Sequence, residues 1–475
     1  MRRIDTLALS TLLIACCEVA AGEWTFLPRL SVEQVYSDNI GLAPEGREFH
    51  EFVTSVEPGL VVRGQGRHLN LSFDYNLEGL LYKRDRARNA LKHQMQTRGD
   101  AELWDSIVFL EFSGSRSQEN ASNGGSNGTD NLSQSENNRT EVQTFSVTPI
   151  VRYGFGSFAR FEAKYEMNAV STETGSSRST SGGRRTTFQF ESGDSFARAP
   201  WRITYSRNRV KNSNGGVNRF RRVEGELRYQ FSRKYGVVFR AGLERNKFPS
   251  TQPNQGGRFW NYGVTWNPTP RTTLETSVGR AFFGRTMSLD FSHRSRRLRF
   301  SASFNEATTT TRAQQIERIL IPLVDAQGNP IIDPLSGTQI EVPIDNIDST
   351  EEVFVASNFN GSVTYTGRRT SATLGLSSSF RTGQQSGASS EVLGARVNVN
   401  RQLSRRSSLS GNGRMQTSTS GGDETERYSF GVLFRHNIGP TFSGTLGLDH
   451  VTQRSSSGTG GFSENRVRAG VIASF

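Results

Sequence analysis

The stretch Val223–Phe231 reads VEGELRYQF. Val223, Gly225, Leu227, Tyr229 and Phe231 alternate with Glu224, Glu226, Arg228 and Gln230. Extended backbone sends successive side chains to opposite sides, so this segment has one apolar face and one polar face. The same period recurs elsewhere. Leu69, Leu71, Phe73, Tyr75 and Leu77 alternate with Asn70, Ser72, Asp74 and Asn76, and Phe161, Ala163, Tyr165 and Met167 with Glu162, Lys164, Glu166 and Asn168. Such runs are roughly ten to fourteen residues long, against about five or six for a usual strand, and suit a tilted crossing of a bilayer.

Composition points the same way. The 475 residues are only 34% hydrophobic, yet include 48 glycines and 31 phenylalanines. A soluble fold of this length needs more aliphatic core, and 10% aromatic residues argue against disorder. A wall one residue thick needs apolar groups on one face only, which predicts an all-β, single-chain transmembrane antiparallel β-barrel.

The connections between the alternating runs are unequal. Tight ones read NIGPTF, LSRRSS, TGRRTS, HRSRR, NPTPRT, FSRKYG, ARAPW, GFGS, LWDS and GQGRH. Long ones fall at 38–51, 83–90, 118–141, 173–184, 211–217, 248–257 and 309–350, with further polar loops at RTGQQSGASS, STSGGDETE and RSSSGTGGFSEN. The short connection FFGRT at 282–286 interrupts this series. Outer-membrane barrels have short periplasmic turns and longer external loops. The count is about 22 strands, in a range of 18–22, and an even number puts both termini in the periplasm. Two long loops stand out. Residues 118–141 are low-complexity Asn/Ser/Gly, read as a mobile external loop. Residues 309–350 carry prolines with Ile and Leu, read as an external hairpin or a segment folded over the pore.

The N-terminus predicts export. Arg2 and Arg3 precede the apolar run Leu7–Ala15, and VAAGEW offers small residues for cleavage, so 1–22 reads as a signal peptide and 23–475 as the barrel. LIAC at Leu13–Cys16 is an alternative lipoprotein box, which would leave Cys16 lipidated. Cys16 and Cys17 are the only cysteines, so signal-peptide cleavage leaves a chain without disulfides. Beyond residue 22 no apolar run approaches the ~18 residues of a membrane helix. The chain ends RVRAGVIASF, Arg466–Phe475. Val467, Ala469, Val471, Ala473 and Phe475 would face lipid, with Arg466, Arg468, Gly470, Ile472 and Ser474 inward. A terminal aromatic closing an alternating strand resembles the signal by which outer-membrane proteins engage the barrel-assembly machinery, which assigns that role to Phe475.

SVEQVYSDNIGLAP (Ser31–Pro44) is followed by SVEPGLVVRGQGRHLNLSFDYNLEGLLY (Ser55–Tyr82). This order resembles the outer-membrane β-barrel family associated with exosortase/PEP-CTERM systems in exopolysaccharide-producing bacteria, over roughly residues 25–115. The resemblance implies a location and a genomic setting. It implies no catalytic residues.

Net charge is +12, with pI near 10.0. The basic residues are dispersed rather than gathered in one block, which argues against nucleic acid. Many sit in tight turns: Arg233, Lys234, Arg271, Arg294, Arg296, Arg297, Arg368, Arg369, Arg405 and Arg406. Others take inward positions, giving a candidate lumen lining of Glu224, Glu226, Arg228, Arg396, Arg414, Arg435, Arg466 and Arg468. Inward arginines have two readings: pairing with carboxylates on neighbouring strands, or a cationic lumen favouring anionic solutes.

The six histidines are scattered without metal spacing. Asp449 and His450 fall on opposite faces of one strand. Asp345, Asp348, Glu351 and Glu352 cluster without an EF-hand pattern. No catalytic, cofactor or metal site is expected. The partners expected are outer-membrane lipid and lipopolysaccharide, the assembly machinery and polysaccharide. Two functions compete: porin-like passage of hydrophilic material linked to exopolysaccharide/exosortase systems, and a non-conducting structural or adhesive surface barrel acting through its long loops.

Overall fold

The computed structural model describes residues 22–120, 130–133, 138–174, 177–213, 215–252, 254–316, 321–322, 341–342, 352–456 and 460–475. The expected signal peptide, most of the segment 309–350, and Asp345, Asp348 and Glu351 lie outside the described residues.

The chain is an all-β ring of antiparallel strands. They are β1 (Gly22–Ser37), β2 (Glu51–Gly66), β3 (Leu69–Tyr82), β4 (Ala90–Trp104), β5 (Val108–Asn120), β6 (Arg139–Phe155), β7 (Ala159–Thr174), β8 (Ser177–Ser192), β9 (Trp201–Lys211), β10 (Val217–Gln230) and β11 (Tyr235–Lys247). The ring continues through β12 (Gly256–Thr269), β13 (Thr272–Ala281), β14 (Gly284–Arg294), β15 (Leu298–Thr310), β16 (Val353–Thr366), β17 (Thr370–Gly383), β18 (Ser389–Gln402), β19 (Ser407–Ser420), β20 (Asp423–Asn437), β21 (Phe442–Ser455) and β22 (Phe462–Ser474). A short helix, α1 (Thr311–Ile316), follows β15. Each strand pairs with the next, and β22 pairs back onto β1 from Arg29↔Ser474 to Ser37↔Arg466, closing a 22-stranded sheet. Closure removes the unpaired edge that an open sheet would expose.

Register fixes which face looks outward. On β10 and β11, Leu227 lies opposite Phe239 and Val223 opposite Leu243. These side chains remain exposed, Leu227 at 49% and Phe239 at 50%. Further round, Tyr262, Phe430, Leu446 and Leu448 are exposed as well. A continuous apolar exterior of this extent requires an apolar solvent. At the tight-turn rim aromatic rings meet. Tyr229 lies 5.0 Å from Phe231, and Trp201 lies 5.3 Å from Phe190 and 6.0 Å from Phe196. Such aromatic girdles sit where hydrocarbon gives way to headgroups.

The connections are less regular than the sequence predicts. Where a loop is expected at 173–184, β7 and β8 stay paired to Thr174↔Ser177. Within STSGGDETE the ladder runs to Ser420↔Asp423, and only Gly421 and Gly422 turn the chain, at φ 62° and 93°. A two-residue turn with positive φ at both positions suits glycine and matches strand twist. On the opposite side, residues 193–200 form a longer connection containing a 3-10 turn, where a tight turn is expected at ARAPW. Polar residues beyond the apolar band thus continue the wall into water.

Candidate functional site

The polar faces enclosed by the ring form the lumen. Its charges are linked laterally. Arg228 Nε donates to Glu226 Oε1 (2.8 Å) and its Nη1 to Glu275 Oε2 (2.8 Å). Arg240 donates to the second oxygen of Glu226 (2.6 Å) and to Glu275 Oε1 (2.6 Å). Two guanidiniums and two carboxylates on β10, β11 and β13 therefore alternate, each ion touching two of opposite sign. Arg222 contacts both Glu224 and Glu244 and lies over the Phe259 ring. Charge-assisted pairs of this kind stiffen a wide wall more than they add net stability.

The remaining candidates lie elsewhere on the ring. Arg396 and Arg414 are cross-strand partners on β18 and β19. Arg414 donates to Gln416 Oε1 (2.9 Å), and Arg435 on β20 to Ser443 Oγ (3.0 Å). Arg468 bonds Asp449 (2.6 Å) across β21 and β22. His450, on the other face of β21, bonds Asn465 at 2.8 Å. Phe475 lies just past β22, exposed, its N–H donating to Pro28 O (3.0 Å).

Two inserted elements narrow the lumen, and composition alone did not reveal them. The first is Asp130–Ser133, from the loop expected to be mobile. Leu132 and Ser133 are buried, and Tyr82 Oη donates to Leu132 O (2.7 Å). Asn131 donates to Glu78, Ser133 to Glu464, and Arg466 to Asp130. Leu132 joins Val35, Ile40, Val53, Leu80 and Tyr82 in a small apolar cluster. The Asn/Ser-rich composition hid this docking, since two of its four anchors, Asn131 and Ser133, are of the same residue types as the rest of the loop.

Burial by itself would raise the Asp130 carboxyl; the guanidiniums of Arg466 and Arg468 and the Leu132 N–H overcome this and hold it below the ordinary carboxylate range. The resulting docking energy is present above that range and lost as pH falls through the lowered value. Proteolysis near residue 130 should therefore accelerate as pH falls below about 4, and Asp130→Asn should show the fast rate already at neutral pH. Equal rates for the two proteins at neutral pH would contradict this.

The second element is α1. Arg312 on this helix donates to Ser181 Oγ (2.7 Å) and to Asn168 Oδ1 (2.6 Å), reaching β7 and β8 from β15. Burial lowers the Arg312 guanidinium to about 10, so it stays charged at neutral pH. A round cylinder of 22 strands, spaced ~4.8 Å and tilted ~40°, would be roughly 45 Å across, with β7 and β15 about 40 Å apart. Six helical residues span about 9 Å. The ring is therefore pinched at this level, and α1 bridges the pinch.

One lobe of the pinched lumen is a cavity of 650 Å³ walled by β8–β17 and α1. Six asparagines line it: Asn208, Asn246, Asn261, Asn305, Asn358 and Asn360. Three of its lining side chains, Asn261, Thr308 and Gln314, each hold an oxygen shut from solvent with no hydrogen-bond partner among the described residues. Buried oxygens of this kind are ordinarily satisfied by protein, water or ligand donors. The asparagine amides along the wall, rather than these shut-off oxygens, give the cavity donors and acceptors for hydroxyl-bearing solutes. Among the described residues no group of three His, Cys, Asp or Glu side chains is placed to hold a metal ion.

No family model matches this chain, and no curated protein matches it. Solved structures do. The apoprotein form of the FrpB iron transporter from Neisseria meningitidis aligns with a TM-score of 0.54 at 12% identity, over 95% of this chain and 81% of that one. The siderophore receptor PirA from Pseudomonas aeruginosa aligns with a TM-score of 0.50 at 9% identity, over 95% and 80%. At such identities the likeness is one of fold: a closed 22-stranded antiparallel barrel.

Proposed function

We propose that this chain is an outer-membrane barrel that passes hydrophilic material through its lumen. One observation carries the reading: a closed ring whose apolar face is outside and whose hydrogen-bonding face is enclosed. The similar structures, an iron transporter and a siderophore receptor, support a transport-type barrel. In this reading both termini lie on the periplasmic side, the long connections face outward, and Phe475 serves assembly. The Ser31–Pro44 and Ser55–Tyr82 resemblance adds a link to exopolysaccharide/exosortase systems, and the amide-lined cavity is chemically suited to polysaccharide hydroxyls.

The pinch favours a second reading, a structural or adhesive barrel whose lumen stays shut. Planar-bilayer recording separates the two. The full chain should give discrete current steps, and Arg312→Ala, which frees α1 from β7 and β8, should enlarge them about twofold or more, since a larger cross-section passes proportionally more ions. Silence from both proteins at every voltage would establish the structural reading instead.

A further inference from the structure

The outer face of β8–β14 carries a belt of cations outside the lumen. Reading outward positions from the register, Arg184, Arg209, Arg219 and Lys247 lie side by side on four adjacent strands. Arg207, Arg221 and Arg245 form the next row toward the apolar band. Arg258, Arg280 and Arg285 extend the belt along β12–β14, Arg280 at a stretch of rim where it also borders the lumen cavity. All ten are exposed, and none of their side chains has an ion pair or hydrogen bond among the described residues. No outward position on β8–β14 holds Asp or Glu.

The belt begins where the apolar band ends. Arg221 is the next outward residue after Val223, Arg245 after Leu243, Arg280 after Val278, and Arg285 precedes Met287. All four of those apolar neighbours are exposed to the surrounding solvent. The belt lies on the rim of the long connections, away from the aromatic rings of the tight-turn rim.

Like charges directly opposite on paired strands destabilise a sheet. Here two such rows run across four and three strands, and no outward carboxylate on β8–β14 offsets them. Anions at the depth of lipid headgroups would. We propose that this belt binds the phosphates of a multiply phosphorylated glycolipid of the lipopolysaccharide type, one molecule spanning several strands. The choice of leaflet rests on the proposed function, in which this rim faces outward. Lipid attraction of this kind grows with each added cation near the surface, and closely spaced guanidiniums match phosphate geometry.

The test uses the full chain in detergent and in nanodiscs. The triple variant Arg207→Gln, Arg221→Gln, Arg245→Gln should bind purified lipopolysaccharide about a hundredfold more weakly than the parent. The variant Arg271→Gln, Arg368→Gln, Arg369→Gln, on the opposite rim, should bind like the parent. Both must keep the heat-modifiable gel shift of a folded barrel; if the triple variant loses it, the single changes Arg221→Gln and Arg245→Gln are measured, each expected to weaken binding about fivefold. Unchanged binding by the belt variants overturns the proposal. So does equal binding of phosphatidylglycerol and lipopolysaccharide by the parent, which would make the belt a general anionic-surface contact. Current steps from the belt variants would show that the conduction reading stands or falls separately.

Discussion

Arg466→Ala should lower barrel stability by about 3–5 kcal/mol, the usual consequence of removing one partner from a buried ion pair. The Arg466 side chain is 2% exposed and that of Glu464 0%. Arg466 faces Ser37 across the β1–β22 junction, where the ring closes. Its guanidinium holds Asp130, and Glu464 accepts from Ser37 (2.7 Å) and from Ser133. Without Arg466, Glu464 stays fully buried beside an Asp130 that has lost its partner, and the cheapest relief is to expel Asp130–Ser133. The expected readouts are a lower urea midpoint in micelles and faster proteolysis near residue 130. Replacing all three groups together, Asp130→Asn, Glu464→Gln and Arg466→Met, should restore most of the loss, because no charge is then left buried. A midpoint unchanged in Arg466→Ala would mean that the seam does not depend on this ion cluster.

The strand wall was legible in the sequence because its signal is local. Leu227 and Arg228 point to opposite solvents whatever their neighbours do, so alternation yields the all-β barrel and about 22 strands without knowledge of pairing. Connection boundaries were less legible. Ser418–Ser420 and Asp423–Thr425 look like loop because they are polar, yet they are paired strand beyond the membrane. Only Gly421–Gly422 marks the true turn.

The lumen contents depend on contacts between distant segments. Asp130 meets Arg466, and Arg312 meets Asn168, across separations that no periodicity records. The outer belt had a readable signal that inward and turn arginines obscured: arginines at alternate positions directly flanking an apolar alternation, as in Arg219, Arg221, Val223. That spacing puts them on the lipid side, just above the hydrocarbon.

Inverting one lipid-facing position should distinguish the two sides of the wall most sharply. Outward residues on this part of the chain run from Val223 to Phe231, with Leu227 midway. Leu227→Arg places a guanidinium near the bilayer midplane, where the cost is about 2–4 kcal/mol, falling toward zero at the interfaces. The inner face should respond differently. Thr265 lies opposite Glu275 on the lumen side, so Thr265→Arg adds a third cation to the Arg228, Arg240, Glu226 and Glu275 set; water in the lumen screens it, and stability should change by less than about 1 kcal/mol. Urea unfolding of both variants in liposomes, followed by tryptophan fluorescence, gives the comparison directly. Equal losses for the two would mean that the enclosed face is as apolar and dry as the exterior, contrary to a polar, hydrated lumen. A small loss for Leu227→Arg with a large one for Thr265→Arg would place the lipid on the wrong side of the wall.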